Sequence, residues 1–537
     1  MYECPNCAGN LKFDIASQML SCEYCDTKLD PYAVTKDRDA EESADAYNAT
    51  IFTCPQCGGE LISEDTTAAT FCSFCGASTI LDIRVSKERR PGYIIPFTKT
   101  RDDCKEAYMK MMRRAFFAPK EFKDEKNLER FRGIYMPYWI YSFETKGPIT
   151  YTGKKSRQRG DYLITDYYKM TCDVDAEYSG ISYDASASFS DNLSAAIAPF
   201  DKAQSKAFTP AFLSGFYADT HDVDSRVYRE DARMLAADNS ARELAKNSVN
   251  RKYHVEVDDS LRRAVGGVST ATELGMFPVW FLSYRNRDRV SYAVVNGQTG
   301  RIAADIPVDE KKYAIGSLVL AIPIFILLNL LFTFKPQWML GLAIILALIC
   351  AVISARQLSY IVARETGEQD KGLQAVNANN TSGKSFRPEK KKPSVKKPSG
   401  PNSVLGIVFI TLMVTMVFST FAVRLGSYAL QVFSVLYVII FPLVTIYMVS
   451  GRTRRKKKAV SLPWKERIPV LLKPFAAIVL AVLILIINPV EDIYYYVAAI
   501  ITMGVIIWNF VDILKRYNQL ATRKLPQFNR RGGDEVE

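Results

Sequence analysis

Histidine is nearly missing. The 537 residues hold two, His221 and His254, in unlike surroundings, and no HExxH, no GxSxG and no nucleotide-binding loop in a strand-to-helix setting occurs. These gaps remove the usual constellations for metal-assisted hydrolysis, acyl transfer and phosphoryl transfer, so the expectation is a protein that is not an enzyme. The fragment Ser382-Gly383-Lys384-Ser385 lacks the earlier glycine of a phosphate loop and lies in a polar stretch. Cys104 sits at helical spacing with Ala107, Tyr108, Met111 and Met112 and reads as core rather than nucleophile.

Charge is absent from several long stretches. Residues 313–334 and 337–355 contain no charged side chain and are separated only by Lys335 and Pro336. Each is long enough for about 30 Å of hydrocarbon at about 1.5 Å per helical residue. A soluble helix is rarely apolar on every face for five turns, so the pair reads as a transmembrane hairpin over residues 313–355. Further spans near residues 404–423, 428–449, 474–489 and 493–511 pair into hairpins at 404–449 and 474–512.

Basic residues are scarce at the other end. Up to Ser86 there are 5 Lys and Arg against 14 Asp and Glu. Nucleic-acid affinity comes largely from basic side chains releasing counterions, so this segment is poorly equipped for phosphate. A membrane-tethered nucleic-acid binder is kept as an alternative that the charge opposes. The whole-chain charge of +12 hides two halves: up to Glu310 there are 40 basic and 46 acidic residues, and the remainder carries 29 and 11. The basic excess lies in the loops between hairpins, residues 356–403 and 450–473, and in the tail, 513–537. Positive loops favour the cytoplasmic side. The start MYECPNC has neither a charged nor an apolar signal region. Both termini are therefore expected in the cytoplasm, with six spans in the cell inner membrane. No Asp, Glu, Lys or Arg interrupts a span before Asp512, which argues against an ion-coupled carrier. A transporter or pore with a cytoplasmic regulatory region stays open as a second alternative.

Cysteine is what the chain does supply. Cys4, Cys7, Cys22 and Cys25 form CxxC-x14-CxxC, and Cys54, Cys57, Cys72 and Cys75 repeat the spacing 50 residues on, using eight of eleven cysteines. A tight turn lets thiolates at i and i+3 meet one ion, and two such turns complete a tetrahedral S4 site. Disulfides do not suit a reducing compartment, and a redox CxxC works singly beside a βαβ unit. The expected occupant is structural Zn2+ at both sites, with iron of the rubredoxin kind as the alternative. Four sulfur ligands leave no position for water, so such a site folds a module and does not catalyse.

The resulting plan is multidomain: two small β zinc ribbons (residues 1–35 and 51–86) around an acidic linker (36–50, containing DRDAEESAD), an α+β cytoplasmic region (87–310), and an all-α six-helix transmembrane region. Within the α+β region, residues 87–90 read as a basic hinge, Thr100 caps a helix, and a second helix covers residues 229–248 with Met234, Leu235, Ala241, Leu244 and Ala245 apolar. MPYWIYSF at 136–143 and FPVWFLSY at 277–284 share P-x-W-x-x-S-aromatic, and the region reads as two related lobes, each a helix followed by a strand pair, with Trp139 and Trp280 as core anchors.

On CPNC with CEYC, CPQC with CSFC, the IIPF and FAPKEF segments and MPYWIYSF, the chain resembles bacterial membrane proteins, largely of Bacillota, with paired N-terminal zinc ribbons of the TFIIB type. Such proteins are often encoded beside SPFH-domain, TPM-domain and phage-shock-type proteins. The resemblance implies a membrane scaffold or adaptor that recruits protein partners of that kind in envelope stress. Ala8 and Asp26 depart from it, standing where glycine is common after each knuckle.

Overall fold

The structure, a computed structural model, describes residues 2–34, 46–63, 71–78, 81–331, 336–365, 367, 369–382 and 464–528. The acidic DRDAEESAD segment, the expected spans at 404–449 and the Lys/Pro-rich residues 383–403 lie outside the described residues.

The first cysteine module is a three-stranded sheet of its own, formed by β1 (Leu11–Asp14), β2 (Met19–Cys22) and β3 (Lys28–Leu29). The second is not separate. Its strands β4 (Ala46–Thr53), β5 (Glu60–Ser63) and β6 (Asp82–Arg89) form one end of a large sheet that continues through the α+β region. Two expected boundaries therefore move. Residues 46–50 belong to strand β4 rather than to a linker, and residues 87–89 belong to β6 rather than to a hinge.

The middle of the sheet explains the repeated tryptophan motif. Strand β7 (Tyr93–Ile94) leads to helix α1 (Arg101–Arg114), then β8 (Arg132–Arg159) and its hairpin partner β9 (Tyr162–Asp184). After the two-residue strand β10 (Lys206–Ala207), the same order returns: β11 (Tyr217–Asp219), helix α2 (Arg229–Lys246), β12 (Val268–Asn286) and β13 (Arg289–Asn296). Strands β8 and β12 pair antiparallel with Met136 opposite Phe277, each the residue before its motif proline. A local twofold axis between them relates the pairings next to the motifs. Ile134 and Tyr135 pair in parallel with β11, and Gly275 and Met276 pair in parallel with β7. Tyr138 meets Asp184 where β9 ends, and Val279 meets Asn296 where β13 ends. The Trp139 indole N–H donates to the Val223 carbonyl at 2.7 Å, and the Trp280 indole donates to the Lys99 carbonyl at 2.8 Å. Each lobe thus lends its first strand to the other lobe's long strand. On the outer flanks β7 takes β10, and β11 takes β5 of the cysteine module, so the metal module fills in one lobe the place of a two-residue strand in the other.

Helix α1 begins as expected: Thr100 and Asp103 bond reciprocally in a capping box, and Cys104, Tyr108 and Met112 are buried. Burial pushes the Cys104 thiol up to about 12, in keeping with a core residue. Helix α2 buries only part of the face expected, Ala241 with Leu244 packed beside it. Ala232, Ala236, Ala237, Ser240 and Ala241 lie against the sheet, while Leu235 is exposed, because the close approach to β8 and β9 admits only small side chains.

The chain then enters α3 (Glu310–Leu331) and α4 (Pro336–Glu365), and later α6 (Trp464–Ile487) and α7 (Asp492–Leu520). Three described helices, over Glu310–Leu328, Met339–Glu365 and Asp492–Leu520, are long and apolar enough to cross a membrane, and Leu472–Ile487 is a shorter apolar helix. Helices α4, α6 and α7 pack through alanines, among them Ala343, Ala347, Ala477, Ala481 and Ala498, which let the backbones approach closely. Part of the expected linker is helix. Helix α4 continues through Glu365, and α5 (Lys371–Ser382) docks Leu373 and Val376 beside Tyr228.

Trp139→Phe and Trp280→Phe keep the apolar body of the side chain but leave a carbonyl without its donor, so each should cost about 1–3 kcal/mol of unfolding free energy. Chemical denaturation of the detergent-solubilised chain measures this, and the twofold relation requires losses of similar size.

Candidate metal centres

Four knuckles are built alike. In each, the amide four residues after the first cysteine donates back to that cysteine's carbonyl: Ala8 to Cys4 (2.8 Å), Asp26 to Cys22 (3.1 Å), Gly58 to Cys54 (2.8 Å) and Gly76 to Cys72 (3.0 Å). The first cysteine's amide in turn donates to the carbonyl five residues on, at Gly9, Thr27, Gly59 and Ala77. This closes a loop that aims both sulfurs of CxxC at one point. The reversal requires positive φ at the residue after the second cysteine. Gly58 (φ 73) and Gly76 (φ 70) meet that without strain, whereas Ala8 (φ 57) and Asp26 (φ 54) hold the same conformation with a Cβ.

The sulfurs converge as the spacing predicts. Within Cys4, Cys7, Cys22 and Cys25, and again within Cys54, Cys57, Cys72 and Cys75, all four lie within 4.8 Å of one another. Closest separations are 3.4 to 3.6 Å in the first set, and 3.7 and 3.8 Å in the second. A zinc–sulfur bond of about 2.3 Å sets tetrahedral sulfurs about 3.8 Å apart. The second set fits that edge, and none of the eight forms a disulfide. Both sets can hold a metal ion, and the sulfur-only donor set suits zinc or iron. Among the described residues neither histidine joins these groups. His221 stands edge-on to Trp139, and His254 occupies a positive-φ turn.

The two centres differ in setting. In the first, Cys7 and Cys25 are exposed, and the Cys25 thiol is held down at about 6 by the Thr27 hydroxyl, then by the Thr27 amide and Cys7. In the second all four cysteines are buried. Hydrogen bonds with Cys57, then Cys72 and Cys75, hold the Cys54 thiol far below its ordinary range, and the Cys54 contact pushes Cys57 far above it.

Residues distant in sequence close the second centre. The Phe528 amide donates to the Cys57 carbonyl at 2.8 Å, and its ring meets Phe74 edge-on at 5.7 Å. A Cβ on Gly59 would lie 2.7 Å from Phe74 and 3.2 Å from Phe528, so only glycine admits both rings. The Tyr292 hydroxyl donates to the Phe74 carbonyl at 2.6 Å, and Arg285 donates to Gln56 at 2.8 Å. Phe528 follows β15 (Arg523–Lys524), which pairs with Arg289 and Val290 of β13 directly after α7. Sequence reading placed these residues in a basic tail. Only Leu525 and Phe528, two apolar residues in a polar stretch, could have signalled the contact.

Two sulfur-only metal centres on an α+β body, joined to long apolar helices, define a metal-binding protein of the membrane-associated class. The chain is similar to the uncharacterized protein YdjG of Bacillus subtilis (strain 168), 26% identical over 318 residues, which covers 58% of this chain and 92% of that protein. No family model matches, and no solved structure matches.

Relieving the strained turn of the first centre by Ala8→Gly should tighten its metal binding by about 1 kcal/mol, roughly fivefold, while Gly58→Ala should weaken the second centre to a similar degree. Competition with a chromophoric chelator reads both. Stripping metal from the purified chain should loosen the Phe528 contact and expose the tail. Trypsin would then cut after Lys524 faster than in the metal-loaded protein, and equal rates would show that the tail holds without the metal.

Proposed function

We propose that this chain is a membrane-embedded scaffold or adaptor that presents its cysteine modules and α+β body to protein partners at the cytoplasmic face of the inner membrane. The observation that carries this reading is the physical continuity from metal centre to membrane helix: Cys57 holds Phe528, and β15 joins β13 to the end of α7. A closed S4 centre has no coordination site for a substrate, so its contribution is a rigid surface. That surface is poor in basic side chains, which favours a protein over a nucleic acid.

The topology proposed is six spans with both termini cytoplasmic. It is supported by helix ends that return to the sheet. Arg364, at the end of α4, donates to both Asp305 oxygens at 2.9 Å, and Arg523, just past α7, reaches the same carboxylate at 3.2 Å. Glu365 pairs with Arg289 and Lys524, each at 3.3 Å. Helices of 30 and 29 residues span about 45 Å, enough for the hydrocarbon and this extension beyond it. The positive loops supply the direction. The metal proposed is zinc, and a role in envelope stress with SPFH-, TPM- or phage-shock-type partners follows from the resemblance alone.

A crosslinked pull-down from membranes, compared with a Cys54→Ser/Cys57→Ser double variant, tests the adaptor role. A specific cytoplasmic protein captured by the natural chain and lost from the variant is the expected result. An identical set from both would remove the metal module from partner binding.

A further inference from the structure

Between α1 and the 3-10 turn Lys120–Lys123 the chain reverses through Ala115, Phe116, Phe117 and Ala118. Phe116 is 78% exposed, an uncommon position for a phenylalanine beside a well-packed core. Its neighbour is fixed to the start of α3. The Phe117 ring meets Tyr313 edge-on at 5.0 Å, and a Cβ on Gly316 would lie 2.6 Å from Phe117 Cε1. The Phe117 carbonyl accepts from the Asp309 amide at 2.8 Å, and the Ala118 carbonyl accepts from Lys312 Nζ at 2.8 Å. Tyr313 in turn stacks with Phe510 of α7 at 6.1 Å. Phe117 therefore lies level with the first turns of a helix long and apolar enough to cross a membrane.

The segments that flank the reversal carry exposed charge, with Asp124 and Glu125 further along. Arg113, Arg114, Lys120 and Lys311 are exposed beside it, against Glu121 and Glu310, while the Asp309 carboxylate accepts the amides of Lys311 and Lys312. We propose that Phe116 and Phe117 form an interfacial wedge, with Phe116 inserted at the boundary between headgroups and acyl chains of an anionic phospholipid bilayer and the four cations lying among the headgroups. Two aromatic rings are drawn out of water, and each nearby cation adds about 1 kcal/mol at an anionic surface. Lipid is the occupant because the wedge is continuous with the span itself: a partner there would have to displace the headgroups that surround Gly316. The wedge, with the Phe117 contact to α3, fixes the tilt of the α+β body on the membrane. This rests on α3 and α7 crossing the bilayer.

The test uses the full chain in nanodiscs of phosphatidylglycerol and phosphatidylethanolamine, with or without bromine on the acyl carbons nearest the headgroups. Phe116→Trp adds one indole, read as the difference from the natural chain. Native Trp508, exposed on α7, is read separately as the difference lost in Trp508→Phe. The expected result is an introduced indole whose emission is blue-shifted and quenched by brominated lipid as strongly as Trp508. Water-like, unquenched emission beside a quenched Trp508 would overturn the wedge and leave the spans standing. A blue-shifted but unquenched indole would overturn it in favour of a protein contact, and an unquenched Trp508 would remove the spans and the wedge together.

Discussion

The antiparallel register of β8 against β12 is the constraint on which the other contacts depend. With Met136 opposite Phe277, the two motif prolines, the two tryptophans and the two helix-leading segments fall into twofold correspondence. A shift of one residue would turn every inward side chain of a strand outward, and both indole hydrogen bonds would be lost together. Because β7 pairs with β12 and β11 pairs with β8, neither lobe completes its sheet alone. The two lobes are one folding unit although their motifs are far apart in the chain.

That arrangement gives the second metal module its place. The flank of β11 offers a free edge, and β5 closes it with the pairs Tyr217–Ser63, Ala218–Ile62 and Asp219–Leu61. The opposite flank is closed by two-residue β10. An edge strand covered in this way no longer invites pairing with other chains. Among the described residues the first module joins no strand of that sheet; it meets the body through the Phe13 amide, which donates to the Ser214 carbonyl at 3.0 Å, and through side chains, as where Phe13 packs on Phe212 at 5.2 Å and Gln18 donates to the Phe97 carbonyl at 2.8 Å. The two centres share a spacing and differ in burial for this reason.

Helix ends and sheet meet at Asp305, which follows β14 (Ile302–Ala304) and binds Arg364 at the end of α4 and Arg523 of β15, just past α7. A partly buried carboxylate with two guanidinium partners is worth little as net stability, since desolvation offsets much of the attraction. Its value is geometric. Two helix termini are tied to the residue that follows β14, which places them one strand from β13 and, through the Tyr292 hydroxyl on the Phe74 carbonyl, in contact with the second metal module.

The cysteine clusters and the apolar runs were legible from residue order because both are local. CxxC closes within one turn, and a helix apolar on every face announces itself over five turns. The tryptophan echo was legible as a resemblance between two strands, and the Thr100 cap as a short pattern. Sequence could not show that the two strands lie against each other, that residues 46–50 and 87–89 are sheet, that α2 buries its alanines, or that α4 runs on to Glu365 and α5 docks beside Tyr228. Each of these depends on which surfaces meet. Residue order by itself determined two four-sulfur clusters and the long apolar helices, since nearest neighbours along the chain decide both. Only the tertiary structure decided that the second centre is part of the central sheet and sealed by Phe528, because strand pairing and ring packing join residues that the chain holds hundreds of positions apart.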